Sequence, residues 1–263
     1  MTTSRRQTEG QAEGVATYLQ VPHRLDLGPL ATPQRVLAIG AHPDDVELAA
    51  GATLARWVRH GAATTVLVAT DGRGGTWDPA LDPAELAARR ATEAAAAAHL
   101  LGASLVLLAV PDGTLAKARI LAWRLAFWIR QCRPDVVLTH DPVHPGRLHP
   151  DHRALGEAVL EALAEAREPA RWPWLAPAHR PKALLLFETP APNHAELVAP
   201  EDLATKARIL AAHQSQYATT YGIHPGDDPH EVLLRRLRAR ADADGASLGL
   251  PQAAEVFRRL DDL

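Results

Sequence analysis

Five apolar runs of strand length recur along the chain: RVLAIGA (35–41), TTVLVAT (64–70), SLVLLAV (104–110), DVVLTH (135–140) and ALLLFET (183–189). They are continuous rather than alternating, the pattern of strands buried on both faces. Between them apolar residues fall at helical spacing. Residues 47–60 carry Leu48, Leu54, Trp57 and Val58, and 84–101, 118–131, 153–167, 201–213 and 230–241 repeat the pattern. Strand alternating with helix predicts an α/β, Rossmann-like fold: a mainly parallel sheet with helices on both faces. Gly61, Gly102 and Pro134 punctuate the returns from helix to strand. The first 20 residues are polar and read as an arm, and 21–263 as a single α/β domain. Within it, 168–182 is a proline-rich loop, 214–230 is irregular, and the last 20 or so residues read as an appended helix.

Composition narrows this picture without changing it. A chain of 263 residues with 47% apolar and 22% charged residues supports one sizeable core. A net charge of −3 gives no reason to expect nucleic acid or an anionic membrane as partner. Arg235, Arg236, Arg238 and Arg240 are flanked by acids and read as a solvated helix face. Cys132 is the only cysteine, so no disulfide forms within the chain. No apolar run has signal-peptide or membrane-span length. A cytoplasmic protein is expected, and a homo-oligomer is compatible with the sequence.

In a parallel sheet, ligands gather beyond the carboxyl ends of the strands. Four strand exits there carry polar loops: AHPDD (41–45), TDGRGG (70–75), PDG (111–113) and THDPVHPGRLHPDH (139–152). The opposite edge is plain. His42 and Asp45 are three apart at a strand-to-helix turn, and HPDH (149–152) echoes HPDD (42–45). A His/Asp/His set built from His42, Asp45 and a histidine of HPDH suits a zinc ion with a position open for water. Asp44, close by but pointing elsewhere, suits a general base. A cation also makes adjacent carboxylates tolerable. Either tetrad alone has an ordinary reading, since proline and acids open helices well. Both on one edge do not. TDGRGG can cradle a phosphate, but no G-x-G-x-x-G follows the first strand. A two-metal phosphoesterase drawing on Asp71, Asp112 or Asp141 is the competing hydrolase.

AHPDDVELAAGATLA, RPDVVLTH, HPDHRAL and KARILAAHQSQ resemble the zinc-dependent N-acetylglucosaminyl deacetylases of the PIG-L/LmbE type, which include the deacetylases of mycothiol and bacillithiol biosynthesis. The resemblance spans about residues 35–217. It implies a small-molecule N-acetylated substrate, one Zn2+ per chain on His42, Asp45 and His152, and Asp44 as base. It implies that His149 stabilises the oxyanion or protonates the leaving amine, and that Arg73 and Asp112 lie where relatives hold the sugar. His213 is either a helix cap or, by the resemblance, part of the site lining. Asp141 either orients His152 or His149 or caps a turn. His144 reads as an exposed loop residue, and Trp77, Trp172 and Trp174 as packing residues that can alternatively stack on a sugar. Gly51-Ala52 replaces the family's usual Gly-Gly.

Overall fold

Each apolar run becomes a strand in the computed structural model, which describes residues 29–118, 120–143, 149–174, 176–261 and 263. The polar arm (1–20) and His144 lie outside the described residues. The strands are β1 (Arg35–Gly40), β2 (Ala63–Thr70), β3 (Ser104–Val110), β4 (Val136–His140), β5 (Ala183–Phe187), β6 (His194–Leu197) and β7 (Ala254–Leu260). They form one sheet in the order β3-β2-β1-β4-β5-β7-β6. β1 to β5 are mutually parallel, and β7 runs antiparallel to both β5 and β6.

Helices α1 (Asp45–Arg59), α2 (Pro83–Leu101), α3 (Leu121–Cys132), α4 (Pro150–Arg167), α5 (Pro200–Leu210) and α6 (Pro229–Ser247) complete the layers. The continuous apolar runs are explained by two cores. Val36, Ala38, Val66, Val68, Val136 and Leu138 face α1 and α2, where Leu54, Trp57 and Leu101 are buried. Their neighbours Leu37, Ile39, Leu67 and Val137 face α3 and α4, against Leu125, Ile129, Leu155 and Val159. Successive side chains of a strand point to opposite faces, so a strand covered on both sides is apolar throughout.

The carboxyl terminus departs from the expected appended helix. Residues 254–260 form a strand, with Leu184 opposite Leu260 and Leu186 opposite Arg258. PQAAEVFRRLDDL is rich in helix formers, but tertiary pairing decides the outcome. Glu255 fixes the strand from inside: its carboxylate accepts from Lys206 Nζ (2.6 Å) and from the Thr53 amide (2.7 Å) of α1. The proline-rich stretch does form a connection without strands, held by Arg130, whose guanidinium donates to the carbonyls of Glu165, Ala166, Glu168 and Trp172.

Candidate active site

β1 ends at Gly40, and the next four residues deliver His42, Asp44 and Asp45 to the start of α1. Asp44 adopts φ 102°, in the left-handed region. Such a conformation costs a non-glycine residue about 1–3 kcal/mol and persists only where the surroundings over-determine it. Here they do. Oδ1 of Asp44 accepts from the Arg90 guanidinium (3.1 Å) and Oδ2 from the Tyr221 hydroxyl (3.0 Å). The carboxylate makes no capping bond to α1, so the simple helix-opening role does not apply to it. Arg90 also donates to the carbonyls of Pro43 and Gly72. Gly72 has φ 65°, and a Cβ there would come within 2.7 Å of the guanidinium. The glycine in TDGRGG therefore makes room for an arginine.

Three donor atoms converge in front of this turn. His42 Nδ1 lies 3.2 Å from His152 Nε2 and 3.3 Å from Asp45 Oδ2, and His152 Nε2 lies 3.5 Å from Asp45 Oδ2. Zinc bonds of ~2.0–2.1 Å in a tetrahedron give ligand–ligand edges of about 3.3 Å, so this donor set fits such an ion. The far side of each imidazole faces a carboxylate. His42 Nε2 is 3.0 Å from Asp112 Oδ1 and 3.7 Å from Asp151 Oδ2, and His152 Nδ1 is 3.8 Å from Glu188 Oε2. Carboxylate backing of this kind fixes ring orientation and tautomer in metal-binding histidines. His140 stacks on His152 with ring centroids 4.1 Å apart, and it reaches Glu188 Oε2 (3.1 Å) and Asp45 Oδ2 (3.2 Å). Among the described residues the His/Asp sets that could hold a metal all come from this one cluster. Asp112 and Asp151 carry a further load: Gly74 N–H donates to the first (3.1 Å), and those of Gly113 (2.7 Å) and Leu115 (3.1 Å) donate to the second.

The cluster sets the charge states of its members. Burial pushes the Asp44 carboxyl up to about 6, against the pull of Arg90. Burial acts the same way on Asp45, but His140 and His152 outweigh it and hold that carboxyl well below the usual range. Asp112 sits at about 2, the His42 imidazole overcoming burial. His149 is held below the ordinary imidazole value, first by burial and then by His42. It is also the N-cap of α4, its Nδ1 accepting from the Asp151 amide at 3.3 Å. That bond leaves the proton of the neutral ring on Nε2, which faces the site 3.9 Å from Asp112 Oδ1.

Four of the five residues expected at the reaction centre thus meet within a few ångströms, and the fifth, Asp44, stands behind them. The remaining expectations fare differently. Arg73 lies at the rim, 44% exposed in its side chain and paired with Asp71 (2.6 Å). Asp112 faces His42 Nε2 with one carboxylate oxygen and accepts from Gly74 N–H with the other. His213 has no solvent-facing surface and lies 3.8 Å from Glu47, in the layer beyond Asp44, so it does not line an open site. Asp141 takes the turn-capping role: it accepts from the Val143 amide (2.9 Å) and faces Arg258 at 4.0 Å. The carboxylate near the histidines is Asp151 in its place. Trp77 and Trp174 are 77% and 75% exposed and do not pack into the core. Sequence reasoning passed over His140, Glu188, Arg90 and Tyr221. The first two end or follow strands on the same edge, which is a signal the sequence carries.

Comparison with known proteins gives the chain relatives in sequence and in fold. Residues 37–163 match the family model described as PIG-L, GlcNAc-PI de-N-acetylase. A diacetylchitobiose deacetylase from Thermococcus kodakarensis is 32% identical over 70% of this chain and 70% of its own length. A 1D-myo-inositol 2-acetamido-2-deoxy-alpha-D-glucopyranoside deacetylase from Kineococcus radiotolerans is 33% identical over 59% of this chain, and the match spans only 51% of that relative. The solved N,N'-diacetylchitobiose deacetylase from Pyrococcus horikoshii superposes with a TM-score of 0.77 at 29% identity, covering 95% of this chain and 92% of that one. The paired tetrads, the sheet that presents them and these relatives lead to one conclusion: the chain belongs to the PIG-L family.

Proposed function

We propose that the protein is a zinc-dependent amide hydrolase that removes an acetyl or other small acyl group from an N-acetylated amine, an N-acetylglucosamine-type sugar or its conjugate. The observation that carries this reading is the donor triangle of His42, Asp45 and His152, with edges of 3.2, 3.3 and 3.5 Å, next to an anchored carboxylate and an inward-facing imidazole. The relatives named for a 2-acetamido-2-deoxyglucopyranoside and for diacetylchitobiose share a 2-acetamido sugar, which supports the substrate class.

His42, Asp45 and His152 would hold one zinc ion per chain. Such an ion supplies Lewis acidity and a bound water whose pKa falls to roughly 7. Asp44 accepts the proton of the attacking water. Each of its anchored oxygens keeps a second lone pair for that proton. His149 donates from Nε2 to the oxyanion or the departing amine. Its helix-capping bond fixes the tautomer, so a hydrogen bond to the oxyanion needs no positive charge on the ring, whereas protonating the departing amine requires the proton that Asp44 removed from the water to be passed to the amine, directly or through His149. Asp112 holds the Nε2 proton of His42 and leaves Nδ1 free as a donor atom. By the family resemblance, Arg73 at the rim would grip the sugar. The products are a carboxylate, acetate for an acetylated substrate, and a free amine.

A panel of N-acetylglucosamine, diacetylchitobiose, an inositol-linked 2-acetamido sugar and an N-acetyl amino acid, assayed for primary amine, tests the proposal. Release from a 2-acetamido sugar, lost with a chelator and restored by zinc, is expected. No release from any member with zinc present would contradict it. A two-metal phosphoesterase would need Asp112 and Asp151 as ligands, and two metal ions per chain would favour that reading.

A further inference from the structure

The segment after α5 forms a short 3₁₀ turn (Gln214–Gln216), then a π-helical turn from Tyr217 to Tyr221 closed by Gly222 at φ 54°. π-turns are rare and occur disproportionately at functional sites. This one is pinned at both ends. Gln216 donates to the Gly75 carbonyl (3.0 Å) and Ser215 to Glu93 (2.6 Å), while Arg236 donates to the carbonyls of Tyr221 and Gly222. The result is a nearly buried Tyr221, 4% exposed, whose hydroxyl ends on Asp44 Oδ2. The tyrosine belongs to the apolar cluster of α5 and α6, 177 residues away from Asp44 in sequence.

We infer that Tyr221 is a positioning residue for Asp44, and that the 217–221 turn exists to deliver its hydroxyl; the inference rests on the reading of Asp44 as the base. Asp44 sits in a backbone conformation disfavoured for a residue other than glycine, and among the described residues two groups hold its carboxylate, Arg90 and Tyr221. Arg90 is shared with two backbone carbonyls and fixes the loops on either side. Tyr221 gives its single proton to Asp44 alone. A hydroxyl held rigidly by its ring sets the direction of the carboxylate more narrowly than a long, shared guanidinium. Its removal frees Asp44 to rotate away from the attacking water without touching the donor triangle.

The test is Tyr221→Phe, with Tyr217→Phe as control. Tyr217 lies in the same turn and spends its hydroxyl on the Ala211 carbonyl (2.7 Å), away from the site. Tyr221→Phe is expected to lower kcat at least 10-fold while KM and bound zinc stay within two-fold of wild type, and Tyr217→Phe to leave kcat unchanged. Equal losses in both variants would mean that the turn matters only for packing, and an unchanged kcat in Tyr221→Phe would overturn the inference. If the wild-type protein releases no amine from any substrate, the deacetylase reading fails by itself. The positioning claim is then decided by crystal structures: Asp44 leaves its left-handed backbone or rotates its carboxylate in Tyr221→Phe if the claim is right, and stays in place if it is wrong.

Discussion

The two edges of the sheet are built from the same residue types to opposite ends. At the amino edge, Asp135 accepts from the amides of Gln34 and Arg35 (both 3.0 Å) and pairs with Lys182 (2.9 Å), tying the starts of β1, β4 and β5 together. Two of the helices arriving there, α1 and α2, stop at Gly61 (φ 94°) and Gly102 (φ 79°), where a left-handed turn is cheap, while α3 ends on Arg133 at φ 48°. At the carboxyl edge Gly72 and Gly113 are left-handed too, but so are Asp44 and Glu188, and histidines and carboxylates crowd within hydrogen-bond distance of one another. At the amino edge Asp135 is satisfied by two amides and Lys182. The carboxyl edge keeps charges that a plain fold would avoid, which is the mark of a site in which stability is given up for chemistry.

Variants at the two edges should therefore separate activity from stability. The largest effect is expected from chelation of the loaded protein, which should abolish amine release; zinc should restore it, and activity that survives exhaustive chelation would break the comparison. Next, Asp44→Asn should keep zinc and lower kcat by about 10²–10⁴-fold; a near-wild-type rate would remove Asp44 from the chemistry. His149 has two duties, and two variants divide them. His149→Ala should lower kcat on the order of 10²-fold and also cost about 0.5–2 kcal/mol through the lost cap of α4. Asparagine caps well, so His149→Asn should recover the stability in urea titration but not the rate. Recovery of both would leave His149 as a cap only.

The smallest effect on activity belongs to the amino edge. Asp135→Ala should leave kcat alone and cost roughly 1–2 kcal/mol from the lost hydrogen bonds. Burial acts to raise the Asp135 carboxyl, but Lys182 and the two amides hold it below the ordinary range. A carboxyl depressed in the folded state stabilises above its unfolded value of about 3.9, and that stabilisation fades as pH falls through the folded value. The stability gap between wild type and Asp135→Ala should accordingly be full at pH 7 and shrink below pH 4. A gap that does not narrow would assign the effect to packing.

How far the sequence discloses this contrast depends on distance along the chain. HPDD and HPDH are contiguous, and each follows a buried strand, so both the edge and the convergence of His42, Asp45 and His152 could be anticipated. The five parallel strands were equally legible, since each carries an unbroken run of apolar residues. The partners that hold the site came from afar. Arg90 sits in an alanine-rich helix where a charge reads as solvated, and Tyr221 lies in an irregular stretch without period. Asp141 and Asp151 both neighbour the histidines in sequence, and only the geometry of the turn at 141–143 decides that Asp141 faces away. β7 was hidden by its helix-forming composition, because its strand character comes from pairing with β5 and β6.

The central claim is that His42, Asp45 and His152 together hold one metal ion. It is tested most directly by measuring zinc per chain by plasma mass spectrometry after equilibration and dialysis, in the wild type and in His42→Ala, Asp45→Ala and His152→Ala. One zinc per chain in the wild type and a strong loss in each variant is the predicted result; full zinc retention in all three variants would contradict it.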